Sequence, residues 1–350
     1  MIKIIKTCCL IINLKFIIIE KANKMLIFLS MKNEQKIKKL IIPAAGWGTR
    51  FLPMTKIIPK ELVPILNRPS IDLLVDEAIA SGIEEIILVI STRKQEIMKY
   101  FEPNIPLEKE LKSKNKWELL KHVKKTNREA VIRVVYQYEQ LGLGHAILTG
   151  ARFFKDEPFA VILGDDLIKS DVPVIKQMID EYQKVKSSIV GVQTVPYEKL
   201  NKYGIVKPKN EKEKENKIFE IAGAIEKPSA NKAPSRKAIL GRYIFNYSIV
   251  KYLEKLEPKE EGEEINLVDC FADYLKEEKI YAYEFDGTRY DLGSIEGFAL
   301  ATIDYGIENK EISNAIKQHI LKIAASIYQD TSELNFDNSE NNDKKRKNKK

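Results

Sequence analysis

Residues 40–61 read LIIPAAGWGTRFLPMTKIIPKE, and the fold turns on this stretch. The opening run LIIP (40–43) is apolar without alternation, the pattern of a strand buried on both faces. A glycine-rich turn follows at once. Gly46 and Gly48 let the backbone come close to a ligand and aim several N–H groups at phosphate oxygens. Arg50, Lys56 and Lys60 add three cations within eleven residues, while Pro53, Pro59 and Pro64 prevent a simple helix. A dinucleotide G-x-G-x-x-G fingerprint needs glycine where Phe51 stands, and no G-K-[ST] follows as a Walker A loop requires. The stretch therefore reads as a strand leading into a phosphate loop of another kind, against the plainer reading of a strand–helix turn with surface lysines.

The same alternation continues outward. IDLLVDEAIASG (71–82) places Ile71, Leu74, Val75, Ala78 and Ile79 on one helical face, with Ser70 as expected N-cap and Gly82 as stop. IILVI (86–90), VIRVV (131–135) and FAVIL (159–163) read as buried strands, and KQEIMKYF (94–101) and HAILTGARFF (145–154) as helices. Apolar strands alternating with helices argue for a parallel sheet covered on both faces. IVGVQTV (189–195), AILGRYIF (238–245) and YAYEF (281–285) follow with fewer helices between them and read as a mixed-sheet half. The expected fold class is α/β: a Rossmann-like, mixed, mainly parallel central sheet flanked by helices, in a single large domain. No hexapeptide repeat announces an appended β-helix.

The chain of 350 residues is 44% hydrophobic and 31% charged, which excludes a mainly disordered or fibrous protein. Its net charge of +8 sits at the ends: +4 falls within 1–30, +5 within DKKRKNKK (343–350), and the remainder carries −1. A near-neutral body lacks the basic field that binding to nucleic acid needs. Three cysteines, two of them Cys8 and Cys9, rule out a disulfide framework in the body, and His122, His145 and His319 share no metal-ligand spacing. A reduced, cytoplasmic setting follows. The apolar N-terminal run is broken by Lys15, Glu20 and Lys21, so no stretch approaches the ~20 residues that span a bilayer, and no stable membrane insertion is expected. The expected division is 1–36, an extension either preceding a true start at Met31, disordered, or a weak surface anchor; 37–310, the folded body; 311–330, a helical segment; and 331–350, a disordered basic tail.

Two further strand ends carry chemistry. LGDD (163–166) follows FAVIL, and a carboxylate there suits Mg²⁺, which takes one or two carboxylates with phosphate oxygens and water. A polar turn is the rival reading. The loop EQLGLGHA (139–146), with Gln137 just before it, would admit a flat base whose edge Gln137 meets. His145 reads as capping or packing.

In order along the chain, PAAGWGTRFLPMTKIIPKELVPI, LGLGHA, DEPFAVILGDD, YGIV, EKP, AILGRYIF and RYDLGS resemble the bacterial UTP–glucose-1-phosphate uridylyltransferases (UDP-glucose pyrophosphorylases) of the sugar nucleotidyltransferase superfamily. The likeness runs over roughly 38–310. It implies a nucleotidyltransferase or glycosyltransferase-A-like fold, UTP and glucose 1-phosphate as substrates, Mg²⁺ as cofactor, and a homodimer or homotetramer. The implied reaction is in-line attack of the sugar phosphate on the α-phosphorus with loss of pyrophosphate. The alternatives are the same reaction with dTTP or another sugar 1-phosphate, or a catalytically inactive nucleotide-sugar-binding regulator.

The resemblance also implies residue roles. Ala45, Gly46 and Gly48 would lie against base and phosphates, Arg50 would stabilise the leaving pyrophosphate, and Lys60 would bridge the phosphates of both substrates. Gln137 and Gly142 would read the uracil edge. Asp165 would be the principal metal ligand, Asp166 would face ribose or a metal-bound water, and Asp291 would be a second metal carboxylate or, equally, the cap of a helix starting near Ile295. Gly204 would let the sugar approach the backbone, Glu226 would accept from glucose hydroxyls, and Lys227 would hold the sugar phosphate. Trp47, Asn266 and Val268 depart from the usual residues of the family. Because the segment 262–270 contributes packing and subunit contacts in relatives, its two departures bear on assembly more than on chemistry.

Overall fold

The computed structural model describes residues 36–124, 129–258 and 263–327. The expectations for the N-terminal extension and the basic tail fall outside the described residues. The described residues pack as two compact units: 36–46, with those of Leu74–Gly164 and Ile168–Thr288, form the first, and Trp47–Leu73, Asp165–Leu167 and 289–327 form the second.

The first unit is built on a nine-stranded sheet. Its strands are β1 (Lys39–Pro43), β2 (Glu85–Ile90), β3 (Val131–Tyr136), β4 (Phe159–Ile162), β5 (Ser188–Thr194), β6 (Gly204–Pro208), β7 (Ile218–Glu226), β8 (Lys237–Phe245) and β9 (Ile280–Glu284). They lie in the order β3-β2-β1-β4-β8-β5-β9-β7-β6. β1 pairs parallel with β2 and with β4, and β2 pairs parallel with β3. Beyond β4 most pairs are antiparallel, with only β5 and β9 parallel. The cause lies in the connections. Parallel neighbours need a crossover of a dozen or more residues, which the first half supplies with helices and the short link between β6 and β7 does not.

Leu40, Ile41 and Ile42 have no exposed surface, as an unalternating strand between two parallel neighbours must. Helix α1 (Ser70–Ala80) buries Leu74, Val75 and Ala78 in this unit. Helix α2 (Leu143–Ala151) puts Ala146, Ile147, Leu148 and Ala151 into one core cluster with Ile41, Ile87, Val89 and Val161 from β1, β2 and β4. Each such aliphatic side chain contributes about 1.5–3 kcal/mol by leaving water. Helix α3 (Val174–Val185) buries Val174, Ile175, Met178 and Tyr182.

The second unit carries the proline-punctuated stretch, and the prolines act as expected. Instead of a helix there are three single 3-10 turns, Thr49–Phe51, Met54–Lys56 and Lys60–Leu62, then a two-residue ladder pairing Pro64 with Pro69 and Ile65 with Arg68. Ser70 does not serve as the cap of α1: it is the first helical residue, and its hydroxyl donates to the Glu61 carbonyl at 3.1 Å. Helix α4 (Ile295–Glu308) is capped by Ser294, whose Oγ accepts from the Gly297 N–H at 3.1 Å. Phe51 meets Phe298 of α4 edge to face, with centroids 5.8 Å apart. Residues 313–327 are helical and largely exposed. Among the described residues no helix is long and apolar enough to cross a membrane.

Candidate active site

The parallel block fixes where ligands are met. From β1 the chain goes to β2 and β3 on one side and then to β4 on the other, so the strand order reverses between β1 and β4. Open α/β sheets bind ligands at the carboxyl ends of strands flanking such a reversal. The residues leaving β1 are Ala44, Ala45 and Gly46, and those leaving β4 are Leu163 and Gly164. Ala44 is pinned through both peptide groups: its N–H donates to Val89 O at 2.7 Å, and its carbonyl accepts from Lys94 Nζ at 2.8 Å. Lys94 is buried at this point, a positioning role that its place in a mixed helical stretch did not disclose. Ala45 is also buried. Around Gly46 the space a Cβ would enter is open, and at Gly164 a Cβ would stand 2.8 Å from Pro43 O, so only glycine lets the turn after β4 cross the end of β1.

On the same edge, β3 delivers Gln137, which is 3% exposed. Its Nε2 donates to Gly142 O at 3.3 Å and lies 2.9 Å from His145 Nδ1. Burial first, and the nearby Arg152 charge second, push the His145 pKa below its ordinary value. The ring is therefore neutral, and Nδ1 is the acceptor that fixes the Gln137 amide. The structure gives His145 this orienting role, more specific than general packing. Gly142 turns the loop with φ +95°.

A third group forms on β6 and β7, where Gly204 and Glu226 are register partners. A Cβ at 204 would come within 3.0 Å of Glu226 Oε2, so what Gly204 admits is first of all this carboxylate. Glu226 Oε1 lies 3.4 Å from Lys227 Nζ. Lys227 itself has φ +45°, a left-handed backbone that costs a non-glycine residue about 1–3 kcal/mol and is kept where surrounding structure imposes it.

The second unit assembles the charged residues. Gly48, at φ +69°, has its carbonyl held by Thr55 Oγ1 at 2.8 Å, and its Cβ position is 3.4 Å from Lys60 Cβ. Lys60 Nζ donates to Asp165 Oδ2 at 2.8 Å, with side-chain exposures of 16% and 29%. For Lys60, burial is the largest influence and would lower the pKa, but the Asp165 charge, the Glu61 charge and the hydrogen bond to Asp165 together outweigh it and the net shift is upward. For Asp165, burial would raise the pKa, but Lys60 first, then Arg50 and Arg289, hold it below the carboxylate value. Both groups are thus ionised throughout the neutral range.

Arg50 lies against Gly293: a Cβ there would be 2.6 Å from Arg50 Nη2 and 2.9 Å from Asp291 Oδ1. Asp291 Oδ1 accepts from the Gly293 N–H at 2.9 Å, and the next residue after Asp291, Leu292, donates its N–H to Asp165 O at 2.8 Å. Asp291 is thereby placed beside Arg50, and Ser294 takes the cap. Asp166, expected to face ribose or a metal-bound water, is engaged within the protein. It is 5% exposed, its Oδ1 accepts from Arg289 Nε at 2.6 Å, and it braces Arg289. Arg289 and Gly293 both stand in RYDLGS, yet carried no assigned role. Arg289 stands two residues from Asp291 in one extended segment, a spacing that puts both on one face.

The Leu292 N–H bond to Asp165 O joins the segment of Asp291 to that of Asp165, in the unit that also holds Arg50 and Lys60. Among the described residues no three of His, Cys, Asp and Glu gather as an all-protein metal cage. Two carboxylates completed by phosphate oxygens and water fit a hard divalent cation such as Mg²⁺, and would not complete a zinc site.

The profile of the nucleotidyl transferase family matches residues 39–306. The chain is 43% identical over 282 residues to the UTP–glucose-1-phosphate uridylyltransferase of Bacillus subtilis, covering 81% of this chain and 95% of that protein. It is 46% identical over 286 residues to UTP–glucose-1-phosphate uridylyltransferase 1 of Staphylococcus saprophyticus, covering 81% and 98%. Among solved structures it is similar to a UTP-bound UGPase from Acinetobacter baumannii, with TM-score 0.75 and 36% identity over 81% of this chain and 99% of that one. A UDP-glucose pyrophosphorylase complexed with UDP-glucose matches with TM-score 0.70 and 39% identity over 78% and 100%.

Proposed function

The chain belongs to the nucleotidyl transferase family, and from that premise we propose that it transfers the uridylyl group of UTP to α-D-glucose 1-phosphate, giving UDP-glucose and pyrophosphate. The observation that carries this reading is the charged cluster of the second unit, where Lys60 holds Asp165 and Arg50 lies over Gly293 beside Asp291. The order of motifs and the names of the relatives support the same reaction. The chemistry is phosphoryl transfer, which needs positioning and charge neutralisation and no covalent nucleophile.

An oxygen of the sugar phosphate attacks the α-phosphorus as the bond to the departing pyrophosphate breaks. Lys60 neutralises charge shared by the two phosphates at the reacting centre. Arg50 presents its planar fork to the pyrophosphate oxygens, and Asp291 orients it through the Gly293 turn. Gln137, oriented by neutral His145, meets the uracil edge together with Gly142, and Ala45, Gly46 and Gly48 lie along the nucleotide. Glu226 accepts from sugar hydroxyls and Lys227 holds the sugar phosphate. The family uses a divalent metal, for which Mg²⁺ is the proposed ion and Asp165 with Asp291 the proposed holders. When bound, it supplies charge neutralisation on the triphosphate and the leaving group. We assign the activity to the cytoplasm and to a homodimer or homotetramer, which light scattering tests.

The first test is pyrophosphate release from purified protein with glucose 1-phosphate and Mg²⁺, comparing UTP with dTTP, ATP and GTP. Release that is UTP-selective and requires both metal and sugar phosphate is the expected result. Equal release with dTTP would retain the mechanism and change the base assignment of Gln137, since a pocket discriminates one methyl by only ~1–3 kcal/mol. No release from folded protein with any pairing would favour a regulator.

A smaller effect tests the place of Arg50. Gly293→Ala puts a methyl 2.6 Å from Arg50 Nη2, the far end of a flexible side chain, and 2.9 Å from Asp291 Oδ1, so it presses on both groups. The guanidinium moves and the fold persists. Turnover is expected to fall about tenfold to a hundredfold, within the range for a displaced transition-state contact, with the circular dichroism spectrum unchanged.

A further inference from the structure

The segment Glu264–Val268 touches both the base loop and the sugar group of the first unit. Ile265 N–H donates to Leu141 O at 2.7 Å, and Gly144 N–H donates to Ile265 O at 3.0 Å. These two bonds bracket Gly142, the glycine assigned to the base. The contact there is close: a Cβ at 142 would stand 2.8 Å from Glu264 Cβ and 2.9 Å from both Ile265 N and Ile265 O. At Gly144 a Cβ would be 3.0 Å from Ile265 Cγ2 and 3.2 Å from Ile265 O. Three residues further on, Val268 Cγ2 lies 3.2 Å from the Cβ position of Gly204, where Glu226 Oε2 lies at 3.0 Å.

The spacing between the two contacts is fixed. Asn266 leads into a 3-10 turn over Leu267–Cys270, where Leu267 is 2% exposed and Cys270 Sγ contacts Leu267 O at 3.1 Å. Leu267, Val268 and Cys270 belong to the same core cluster as α2. The strap therefore cannot shift at one end without straining the other.

We propose that Ile265 and Val268 are positioning and specificity-determining residues for the two substrates. Ile265 sets the loop that reads the base, Val268 sets the room at the sugar, and one five-residue strap governs both. The proposal rests on the roles assigned above to Gln137, Gly142, Gly204 and Glu226. It also moves Val268 from the assembly role implied by family resemblance to the edge of the sugar group.

The test uses the full chain and two substitutions that leave no core cavity. Val268→Ile adds a methylene toward Gly204, and is expected to raise KM for glucose 1-phosphate about tenfold while the calorimetric Kd for UTP stays within twofold of the unmodified chain. Gly144→Ala pushes on Ile265, and is expected to weaken UTP binding about tenfold while KM for glucose 1-phosphate changes little. Adding Ile265→Ala to Gly144→Ala removes Cγ2 and relieves the closest contact, and it restores most of the UTP affinity because Ile265 sets the loop through its backbone N–H and carbonyl, which the truncation keeps. Thermal unfolding of each variant separates this from a packing role, in which both substrates and the melting temperature decline together. That outcome, unchanged constants in both single variants, or no recovery in the double variant would overturn the proposal. Failure of the unmodified chain to bind UTP or release pyrophosphate would instead overturn the functional reading, and the strap with it.

Discussion

Lys60→Ala and Asp165→Ala are each expected to lose a hundredfold or more in turnover while retaining the unfolding midpoint of the unmodified chain. A charged group aimed at the transition state of a phosphoryl transfer is worth about 2.7–4 kcal/mol when removed. The two side chains are joined directly, Nζ to Oδ2 at 2.8 Å, with Arg50 and Arg289 acting on the same carboxylate. Lys60 is held on a single 3-10 turn and Asp165 just after Gly164. Partly exposed ion pairs of this kind contribute little to stability, so the deficit falls on chemistry. Because the two act as a unit, Lys60→Ala/Asp165→Ala should cost far less than the sum of the single losses. The pair's contribution to stability follows the signs of the shifts. The lowered Asp165 pKa keeps its share present above the ordinary carboxylate value of 3.8, and the raised Lys60 pKa keeps its share present below 10.5. Initial rates of pyrophosphate release beside urea melts measure both halves of the expectation. Near-native rates in either variant would remove that residue from the mechanism.

The largest expected effect on stability is at Arg242. This side chain is wholly buried in β8, donating from Nε to Glu77 Oε1 at 3.0 Å, from Nη2 to Glu77 Oε2 at 2.7 Å and from Nη1 to Gly241 O at 3.2 Å. Glu77 Oε1 also accepts from the Ile175 N–H at 3.3 Å, so the pair ties β8 to α1 and α3. Arg242→Met leaves the Glu77 carboxylate buried without its cation, and should destabilise the protein by about 3–5 kcal/mol. Arg242→Met/Glu77→Leu removes both charges and should recover most of that loss or exceed the parent, because well-packed apolar residues often replace a buried pair without cost. Urea denaturation of the two variants gives the answer. A single variant within about 1 kcal/mol of the parent would mean that Glu77 finds water or another donor.

Much of this architecture was legible locally. LIIP announces a doubly covered strand because an unbroken apolar run has no face to give to water. Pro53, Pro59 and Pro64 break the following stretch into single turns because each removes a donor and fixes φ. The apolar face of Ile71, Leu74, Val75 and Ala78 is buried as its helical period requires. The charged residues Arg50, Lys60, Asp165 and Asp291 were all named from motifs. Other contacts depend on partners outside the local pattern. Ser70 looks like a cap until Glu61 O is found beside it, and Asp166 looks like a ligand-facing carboxylate until Arg289, 123 residues away, takes it.

Amino-acid order alone settles the class of the fold, the glycine-rich turn after LIIP and the set of charged residues available for chemistry, because periodicity, proline and glycine act over a few neighbouring residues. Tertiary structure decides the rest. It determines that Lys60 answers Asp165, that Arg50 lies on Gly293, that neutral His145 turns the Gln137 amide, and that Ile265 and Val268 press on three glycines, Gly142, Gly144 and Gly204, more than sixty residues away. These contacts depend on which distant side chains the sheet order brings within about 3 Å, the range over which hydrogen bonds and close packing act, and no local pattern encodes that distance.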